Sequence, residues 1–304
     1  MLLSIIIPVF NAEKKIVRCL ESLSELKEKS IEFIIVNDGS TDGTKYLCEK
    51  YIQRDNRFVL INQKNSGVGK ARNMGIVQTK GKYISFIDAD DELTTEYNGI
   101  IEIIKKIDSD FFAFNHYVKT KEKLEIRERE KLLVGENKGD VLVDSFLAGI
   151  LSCVWNNIYC SNIIKNYNIV FPEDMCMGED MEFNARYIRH CKNVYYINKI
   201  GYKYYFDDSE NATNKRKLSY LNDFVKIYDR FVEEKSYYNK LNATFYFPYY
   251  IDKVYDILKL HRRNMSSKEK KRFKRSNFYN GLIKYNYRSK WQYIKKWLIR
   301  LYII

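Results

Sequence analysis

Three acidic residues, Asp88, Asp90 and Asp91, follow an apolar run within the segment 86–91. Carboxylates gathered at the end of a buried strand repel one another, and a divalent cation relieves the repulsion because Mg²⁺ and Mn²⁺ prefer oxygen ligands. Mg²⁺ usually takes one or two protein carboxylates and completes its shell with water and phosphate oxygens. The segment therefore predicts a metal site for a phosphate-bearing ligand. A solvated acidic loop before the next helix is the alternative.

Two further segments combine small residues with polar ones, at 37–44 and 65–75. Asp38 follows a second apolar run, where acidic residues of nucleotide-binding folds accept a hydrogen bond from a ribose. Lys70 and Arg72 stand at a predicted helix start, which suits a phosphate. Neither segment matches a P-loop or a G-x-G-x-x-G fingerprint. Each could also be an ordinary turn, so neither identifies a ligand alone.

A fourth candidate is the acidic pair Glu179 and Asp180, which opens a predicted helix. Acidic residues are favoured in any first helical turn by the macrodipole, so an ordinary helix start is the alternative to a functional pair.

The elements that must position these groups alternate along the first 116 residues. Apolar runs predict strands at 2–8, 31–36, 57–62, 82–87 and 110–116, and helical spacing predicts helices at 12–26, from 45, 68–78 and 94–107. Apolar strands separated by helices indicate a parallel sheet covered on both faces. Ligands bind such sheets at the carboxyl ends of the strands. Asn11, Asp38, Asn65 and Asp88 follow the first four strands and should therefore meet at one edge.

The later part of the chain is less regular. We expect a charged stretch at 119–139 that forms a hairpin, helices at 140–151 and 179–190, and strands at 194–197 and 202–206. Helical spacing then continues to the end of the sequence. The charge changes at the same point, because residues 211–304 carry 23 lysines and arginines and seven acidic residues, a net charge of +16. The first 210 residues carry a net charge of −3, which indicates two modules with different partners.

Composition excludes several classes of protein. The 304 residues are 45% hydrophobic and 30% charged, a globular balance that excludes a disordered chain. No apolar run approaches the roughly 18 residues of a membrane-spanning helix, and the first ten residues lack the basic leader of a signal peptide. Six cysteines without a C-x-x-C pair predict reduced thiols. Three widely spaced histidines leave carboxylates as the metal ligands.

Taken together, the motifs resemble those of inverting family 2 glycosyltransferases with the GT-A fold. In chain order, the matching motifs are Pro-x-x-Asn at 8–11, D-G-S-x-D-G-T at 38–44, N-x-G-x-x-x-A-R-N-x-G at 65–75, D-x-D at 88–90 and a Glu-Asp pair at 179–180. Two elements at 155–159 and 171–173 resemble the W-N-K-[IL]-Y and F-P-E elements of bacterial polysaccharide transferases in this family, with Asn157 in place of the usual Lys. The resemblance covers residues 3–206.

The resemblance implies a fold and a set of roles. The fold would be α/β, a GT-A domain at 1–210 with a Rossmann-like, mostly parallel sheet and helices on both faces, followed by a basic, aromatic-rich helical module at 211–304. Nucleotide-sugar binding would fall at about 1–115 and the acceptor side at about 116–210. The implied donor-binding residues are Pro8, Val9, Phe10, Asn11, Asp38, Asn65, Gly67, Arg72, Asp88 and Ala89. The implied metal ligands are Asp88 and Asp90, the general base is Asp180, and Trp155 and Glu179 lie on the acceptor side.

These roles imply an inverting, nonprocessive glycosyltransferase that depends on Mn²⁺ or Mg²⁺. It would move a sugar from a nucleotide-sugar donor, with UDP favoured, to a lipid-linked or oligosaccharide acceptor in cell-surface polysaccharide synthesis. The Q-x-x-R-W motif of processive synthases is absent. A sugar nucleotidyltransferase would need a Gly-rich opening that the chain lacks. An inactive nucleotide-sugar-binding or membrane scaffold protein is the remaining alternative, and the intact acidic motifs argue against it.

The last segment, 288–304, predicts an amphipathic helix. Its apolar face would hold Trp291, Ile294, Trp297, Leu298, Leu301 and Tyr302, and Lys290, Lys295, Lys296 and Arg300 lie mostly off that face. Trp and Leu opposite basic residues are typical of a helix in a membrane interface. We therefore expect the protein in the cytoplasm, peripheral on the inner face of an anionic membrane. A helix docked on the domain is the alternative. No nucleic-acid motif supports a nucleic-acid partner, and homo-oligomerisation stays open.

Overall fold

The computed structural model describes residues 1–128, 152–206, 217–233, 247–261, 263–287 and 289–303. The chain divides into two compact units. The N-terminal unit comprises Met1–Asp174 and Glu179–Asp207, and the C-terminal unit comprises Met175–Gly178 and Asp208–Ile304.

The described part of the N-terminal unit is built on one sheet of nine strands. The strands are β1 Leu3–Val9, β2 Ile31–Asn37, β3 Phe58–Asn62, β4 Tyr83–Phe86, β5 Glu92–Leu93, β6 Phe111–Lys119, β7 Leu124–Arg127, β8 Asn157–Cys160 and β9 Val194–Tyr205. Their order is β3-β2-β1-β4-β8-β6-β9-β5, with β7 paired to β6. The first four strands are parallel, whereas β8 lies antiparallel between β4 and β6. The carboxyl ends of β1 to β4 therefore share one edge.

Helices cover both faces of this sheet. In the N-terminal unit they are α1 Ile16–Ser24, α2 Thr44–Arg54, α3 Val68–Gln78, α4 Tyr97–Lys106, α5 Ser161–Asn166 and α6 Glu179–Ile188. Alternate residues of β1, among them Ile5 and Ile7, join the core that contains the buried face of α1. On the other face, Ile6 packs so closely on α3 that a Cβ atom at Gly75 would lie 2.5 Å from the Ile6 Cγ2 atom. Glycine at this position lets the helix approach the strand.

The regular elements in the described part of the C-terminal unit are all helices. They are α7 Tyr220–Glu233, α8 Phe247–His261, α9 Ser267–Arg275, α10 Asn277–Lys284 and α11 Lys290–Ile303. The buried ring of Phe278 packs against Tyr228 and Tyr250, which joins α10 to α7 and α8. None of the helices in the described ranges combines the length and apolarity needed to cross a bilayer.

The predicted fold class agrees with this architecture, as do most of the predicted elements. The strands and helices of the first 116 residues occur within a few residues of the predicted bounds. The predicted hairpin is described in part, since β6 and β7 pair antiparallel, and the predicted helix at 140–151 lies outside the described residues. The two strands predicted at 194–197 and 202–206 form one strand, β9, whose pairing with β6 shifts register near Asn115.

Strands β5 and β8 and helix α5 were not predicted. Strand β8 is four residues long. Buried Asn156 precedes it and buried Asn157 is its first residue, so it lacks the apolar run that marks the other central strands. Its partners β4 and β6 are distant in sequence, and the pairing is a tertiary effect.

We expect Gly75→Val to lower the melting temperature clearly, because the added side chain would overlap Ile6 in a packed interface. Overpacking of this kind costs about 1–3 kcal/mol. Val77→Ala on the same helix is the control, since Val77 is exposed and its truncation should change the melting temperature little. Equal melting temperatures for Gly75→Val and the wild type would contradict the close approach.

Candidate active site

The loops after β1 and β2 are tied together at the carboxyl edge of the sheet. Asn11 adopts a φ of 46°, and its side-chain Oδ1 accepts a hydrogen bond from the Thr41 backbone N–H at 2.9 Å. The Asn11 backbone N–H donates in turn to Ser40 Oγ at 3.0 Å. Phe10 is half exposed beside them, whereas Pro8 and Val9 are buried within β1. The predicted first loop therefore reaches the open edge at Phe10 and Asn11.

Asp38 organises the next loop from a buried position. Its carboxylate accepts hydrogen bonds from the Gln63 side-chain amide at 2.7 Å and from the backbone N–H groups of Ser66 and Gly67, both at 2.8 Å. Gly67 has a φ of 93°, which a residue with a side chain adopts at a steric cost. The carboxylate thus holds the Asn65–Gly67 turn in place at the start of α3.

The acidic segment after β4 separates its three carboxylates. Asp91 is buried and accepts hydrogen bonds from Tyr202 Oη at 2.7 Å and from the Tyr205 backbone N–H at 2.8 Å. Tyr202 Oη also accepts from the Asp88 backbone N–H at 3.2 Å. Asp90 faces the open edge, where Lys15 Nζ lies 3.7 Å from Asp90 Oδ2. Only Asp88 and Asp90 therefore remain at the edge.

The surroundings of the acidic segment disfavour the ionised form of Asp90 and Asp91. Burial raises the pKa of Asp91 well above its ordinary value, and the charges of Asp90 and Asp88 raise it further. Burial also raises the pKa of Asp90, with a second contribution from Asp88. Each shift has the sign expected when several acidic groups share a poorly solvated site.

A single guanidinium joins the acidic segment to the start of α6. Arg72 is buried on α3, and its Nη2 lies 3.1 Å from Asp88 Oδ1. Its Nη1 lies 2.7 Å from Asp180 Oδ1 and 3.4 Å from Glu179 Oε1. Burial works against the charged guanidinium, but the carboxylates of Asp180, Asp88 and Glu179 outweigh it and hold the pKa of Arg72 above its usual value.

Asp180 is the acidic residue of this group best suited to exchange a proton. Burial raises the pKa of the Asp180 carboxyl to about 7, and the charges of Glu179 and Asp88 act in the same direction. Arg72 opposes the shift because it favours the ionised form. A carboxyl group with a pKa near neutrality is matched to general-base catalysis at physiological pH.

A family model matches the part of the chain that contains Asp38, Arg72 and the acidic segment. The model of Glycosyl transferase family 2 matches residues 4–164, more than half of the chain. The chain belongs to glycosyltransferase family 2. The match contains β1 to β4, the turns at Asp38 and Gly67 and the acidic segment, and it ends before α6.

One relative and two solved structures of other proteins show what this family 2 chain is similar to. The glycosyltransferase EpsJ of Bacillus subtilis is 29% identical over 224 residues, which are 72% of this chain and 64% of EpsJ. The chain thus spans less than two thirds of that relative's length. The structure of S. aureus TarS residues 1–349 in complex with UDP-GlcNAc is 19% identical, with a TM-score of 0.64 and coverage of 89% of this chain and 83% of TarS.

A second similar structure is that of a mannosyltransferase. The mannosyltransferase PcManGT of Pyrobaculum calidifontis, in complex with GDP-Man and Mn²⁺, is 11% identical with a TM-score of 0.54 and covers 99% of this chain and 84% of its own. At this identity the structural likenesses bear on the fold alone, and with the family match they confirm the predicted fold class and family.

The acidic segment of the family 2 chain fits a divalent cation that brings its own phosphate ligands. Within the described residues, no group of three or more His, Cys, Asp or Glu side chains is arranged to hold a metal ion. Asp91 is directed to Tyr202 and Tyr205 instead, so two carboxylates are left at the edge. One or two protein carboxylates are what Mg²⁺ usually takes when phosphate oxygens and water complete its shell.

Two predicted positions have surroundings that the sequence did not indicate. The described ion-pair partners of the Arg72 guanidinium are carboxylates and its carbon lies over the Phe171 ring, although the resemblance places this residue against a donor. Trp155 is buried, and its indole stacks on Tyr202 and Tyr204 at centroid distances of 4.4 Å and 5.6 Å. The donor role of Arg72 and the acceptor role of Trp155 stay predictions, as do the other assigned roles.

Sequence reasoning missed two residues that support the site. Tyr202 holds Asp88 and Asp91 from β9, more than a hundred residues away in sequence. Asn73 binds Phe171 through both backbone groups, donating to the carbonyl at 2.9 Å and accepting from the N–H at 2.8 Å. The A-R-N element did mark Asn73 as part of a motif, but nothing local pointed to Tyr202.

We expect Tyr202→Phe to weaken Mn²⁺-dependent binding of UDP, because Asp88 and Asp91 lose the hydroxyl that joins them. A buried acceptor that loses its donor costs about 1–3 kcal/mol, so the melting temperature should fall as well. Isothermal titration calorimetry with UDP and Mn²⁺ gives the affinity. Tyr204→Phe removes a hydroxyl from the same aromatic stack and serves as the control. If both variants bind UDP like the wild type, Tyr202 does not position the acidic segment.

Proposed function

We propose that the chain is an inverting, nonprocessive glycosyltransferase that uses a nucleotide-sugar donor, with UDP favoured. The observation that carries the proposal is the Arg72 ion-pair group in a family 2 chain. It brings Asp88, on the donor side, and Asp180, the candidate base, to one guanidinium. The TarS complex with UDP-GlcNAc supports the choice of donor.

On the donor side, the proposed contacts are made by the edge formed by Phe10, Asn11, Asp38, Asn65 and Gly67. Asp88 and Asp90 would hold a Mn²⁺ or Mg²⁺ ion, and the Mn²⁺ of PcManGT supports this. When bound, such a cation offsets negative charge on the leaving nucleoside diphosphate. Lys15, close to Asp90, adds a positive charge at the same edge.

On the acceptor side, Asp180 would remove the proton from the attacking hydroxyl. Arg72 fixes the carboxylate by a 2.7 Å ion pair, so the base is oriented before the acceptor arrives. Attack from the face opposite the leaving group inverts the anomeric carbon. Trp155 and Glu179 lie on the proposed acceptor side.

We further propose a role in cell-surface polysaccharide synthesis, with a lipid-linked or oligosaccharide acceptor. Transfer chemistry is assigned to residues 1–210, and contact with the inner face of the cell membrane to residues 211–304. The strong positive charge of the second part and the polysaccharide-transferase elements at 155–159 and 171–173 support this division. An inactive binding or scaffold protein is the competing function.

A donor panel separates the two functions. Thermal stabilisation by nucleotide sugars with Mn²⁺ selects the donor, and NMR of the product then gives the anomeric configuration. An enzyme of the proposed type converts an α-linked donor to a β-linked product. Donor binding without hydrolysis or transfer to any acceptor would favour the scaffold function.

The base assignment predicts a pH profile. Because Asp180 must be ionised to accept a proton, and burial raises its pKa to about 7, turnover should rise with pH through neutrality and then level off. Asp180→Asn should reduce turnover by about 10²–10⁴ and remove this acidic limb, with donor affinity little changed. Steady-state rates from pH 5 to 9 provide the check. A variant with near-wild-type turnover would move the role of base to another residue.

The metal assignment predicts that Asp90→Ala abolishes Mn²⁺-dependent donor binding while the protein stays folded. Calorimetric titration of UDP with and without Mn²⁺ measures the effect, and a thermal melt verifies folding. Asp108→Ala, at an exposed carboxylate paired with Lys82, is the control. Unchanged Mn²⁺-dependent affinity in Asp90→Ala would exclude this residue as a ligand.

A further inference from the structure

The last helix, α11, buries one face and exposes another. Lys296, Ile299 and Ile303 are buried within the C-terminal unit. Trp291, Trp297 and Leu301 are 72%, 49% and 64% exposed, and Tyr293 and Ile294 are exposed as well. At 100° per residue the exposed side chains lie on the side of the helix away from the buried ones. We call these five side chains the outer face.

The buried face of α11 is held by specific contacts within the C-terminal unit. Lys296 Nζ donates a hydrogen bond to the Tyr285 carbonyl at 3.0 Å. Lys295 Nζ lies 2.9 Å from Asp252 Oδ1 on α8, and the rings of Tyr302 and Tyr255 stack at 5.9 Å. Helix α11 therefore packs within the C-terminal unit through one face and exposes apolar side chains on the opposite face.

A cleft of about 600 Å³ adjoins the outer face. Its lining combines two cations with apolar and aromatic side chains, namely Arg263, Lys270, Met265, Leu298, Leu301 and Tyr302. Leu301 belongs to both surfaces. Cations beside apolar walls complement a ligand that carries a phosphate on a hydrocarbon chain.

We propose that the outer face inserts into the interface of an anionic bilayer and that the cleft binds the phosphate of a phospholipid. This inference rests on the peripheral membrane location proposed above and names the surface responsible. Trp and Leu side chains favour the headgroup boundary, and a basic segment is attracted to anionic lipids. The net charge of +16 over residues 211–304 supplies that attraction.

The first test removes the outer face. The full chain should sediment with vesicles of phosphatidylcholine and phosphatidylglycerol at low salt, less so at high salt, and weakly with phosphatidylcholine alone. Trp291→Glu with Leu301→Glu should weaken this binding at least tenfold. Val77→Glu with Leu124→Glu adds the same charge at exposed apolar positions of the N-terminal unit and should have a much smaller effect. Equal effects of the two pairs would overturn the role of the outer face.

The second test isolates the cleft. Arg263→Gln with Lys270→Gln should weaken binding to the phosphatidylglycerol vesicles roughly 10- to 30-fold, since each cation near an anionic surface contributes about fivefold. Lys268→Gln with Lys271→Gln removes the same charge from exposed positions on α9 and should have a clearly smaller effect. Equal losses would mean attraction by net charge alone and would overturn the phosphate site.

Two further measurements keep the inference separate from the proposed function. Donor hydrolysis by the same variants should match the wild type. If hydrolysis is absent throughout but vesicle binding follows the predicted pattern, the transferase proposal fails and the membrane surface stands. The proposed membrane contact would be wrong if the wild-type chain did not bind vesicles. It would also be wrong if sedimentation velocity showed self-association through the outer face.

Discussion

The candidate site depends on one buried guanidinium group, that of Arg72, which pairs with three carboxylates. Arg72 draws together the end of β4, through Asp88, and the start of α6, through Glu179 and Asp180. Removing one partner from a buried ion pair typically costs about 3–5 kcal/mol, because the remaining charges lose their compensation. Since two negative charges remain in excess around Arg72, the cluster favours additional positive charge. The position of Asp180 is thus coupled to that of Asp88 through Arg72.

The acidic segment places three neighbouring carboxylates close together, and the fold limits the repulsion between them. Each has a different partner: Asp88 pairs with Arg72, Asp91 is held by Tyr202, and Asp90 is left at the open edge near Lys15. Repulsion between neighbours in sequence is reduced because their side chains are distributed in three directions. The sequence suggests a cluster of acidic ligands, whereas in the fold Asp91 is an internal support held by Tyr202 and Tyr205.

Local pattern was enough to predict the parallel half of the sheet, because apolar runs, turn residues and helical spacing all agree there. The same patterns placed Asn11, Asp38 and Asp88 at one edge, since strand ends in a parallel sheet must coincide. What local pattern could not supply are contacts between distant segments. The insertion of β8, the hydroxyl of Tyr202 and the partners of Arg72 join residues that are 16 to 114 positions apart. Family resemblance supplied Arg72 and Asp180 as site residues, but their ion pair emerges only from the fold.

The last helix illustrates a different limit of sequence reasoning. A docked helix and an interfacial helix were alternatives because each needs one apolar face, and α11 has enough apolar residues for two. Lys296 departs from the predicted arrangement, because the helical wheel assigns it to solvent but it is buried. Its ammonium group donates to the Tyr285 carbonyl and lies near the Tyr287 and Tyr293 rings. A lysine can be buried when its stem packs on apolar surface and its charge finds an acceptor. Because Lys296 turns inward with Ile299, the two tryptophans turn outward, and docking itself creates the exposed apolar surface.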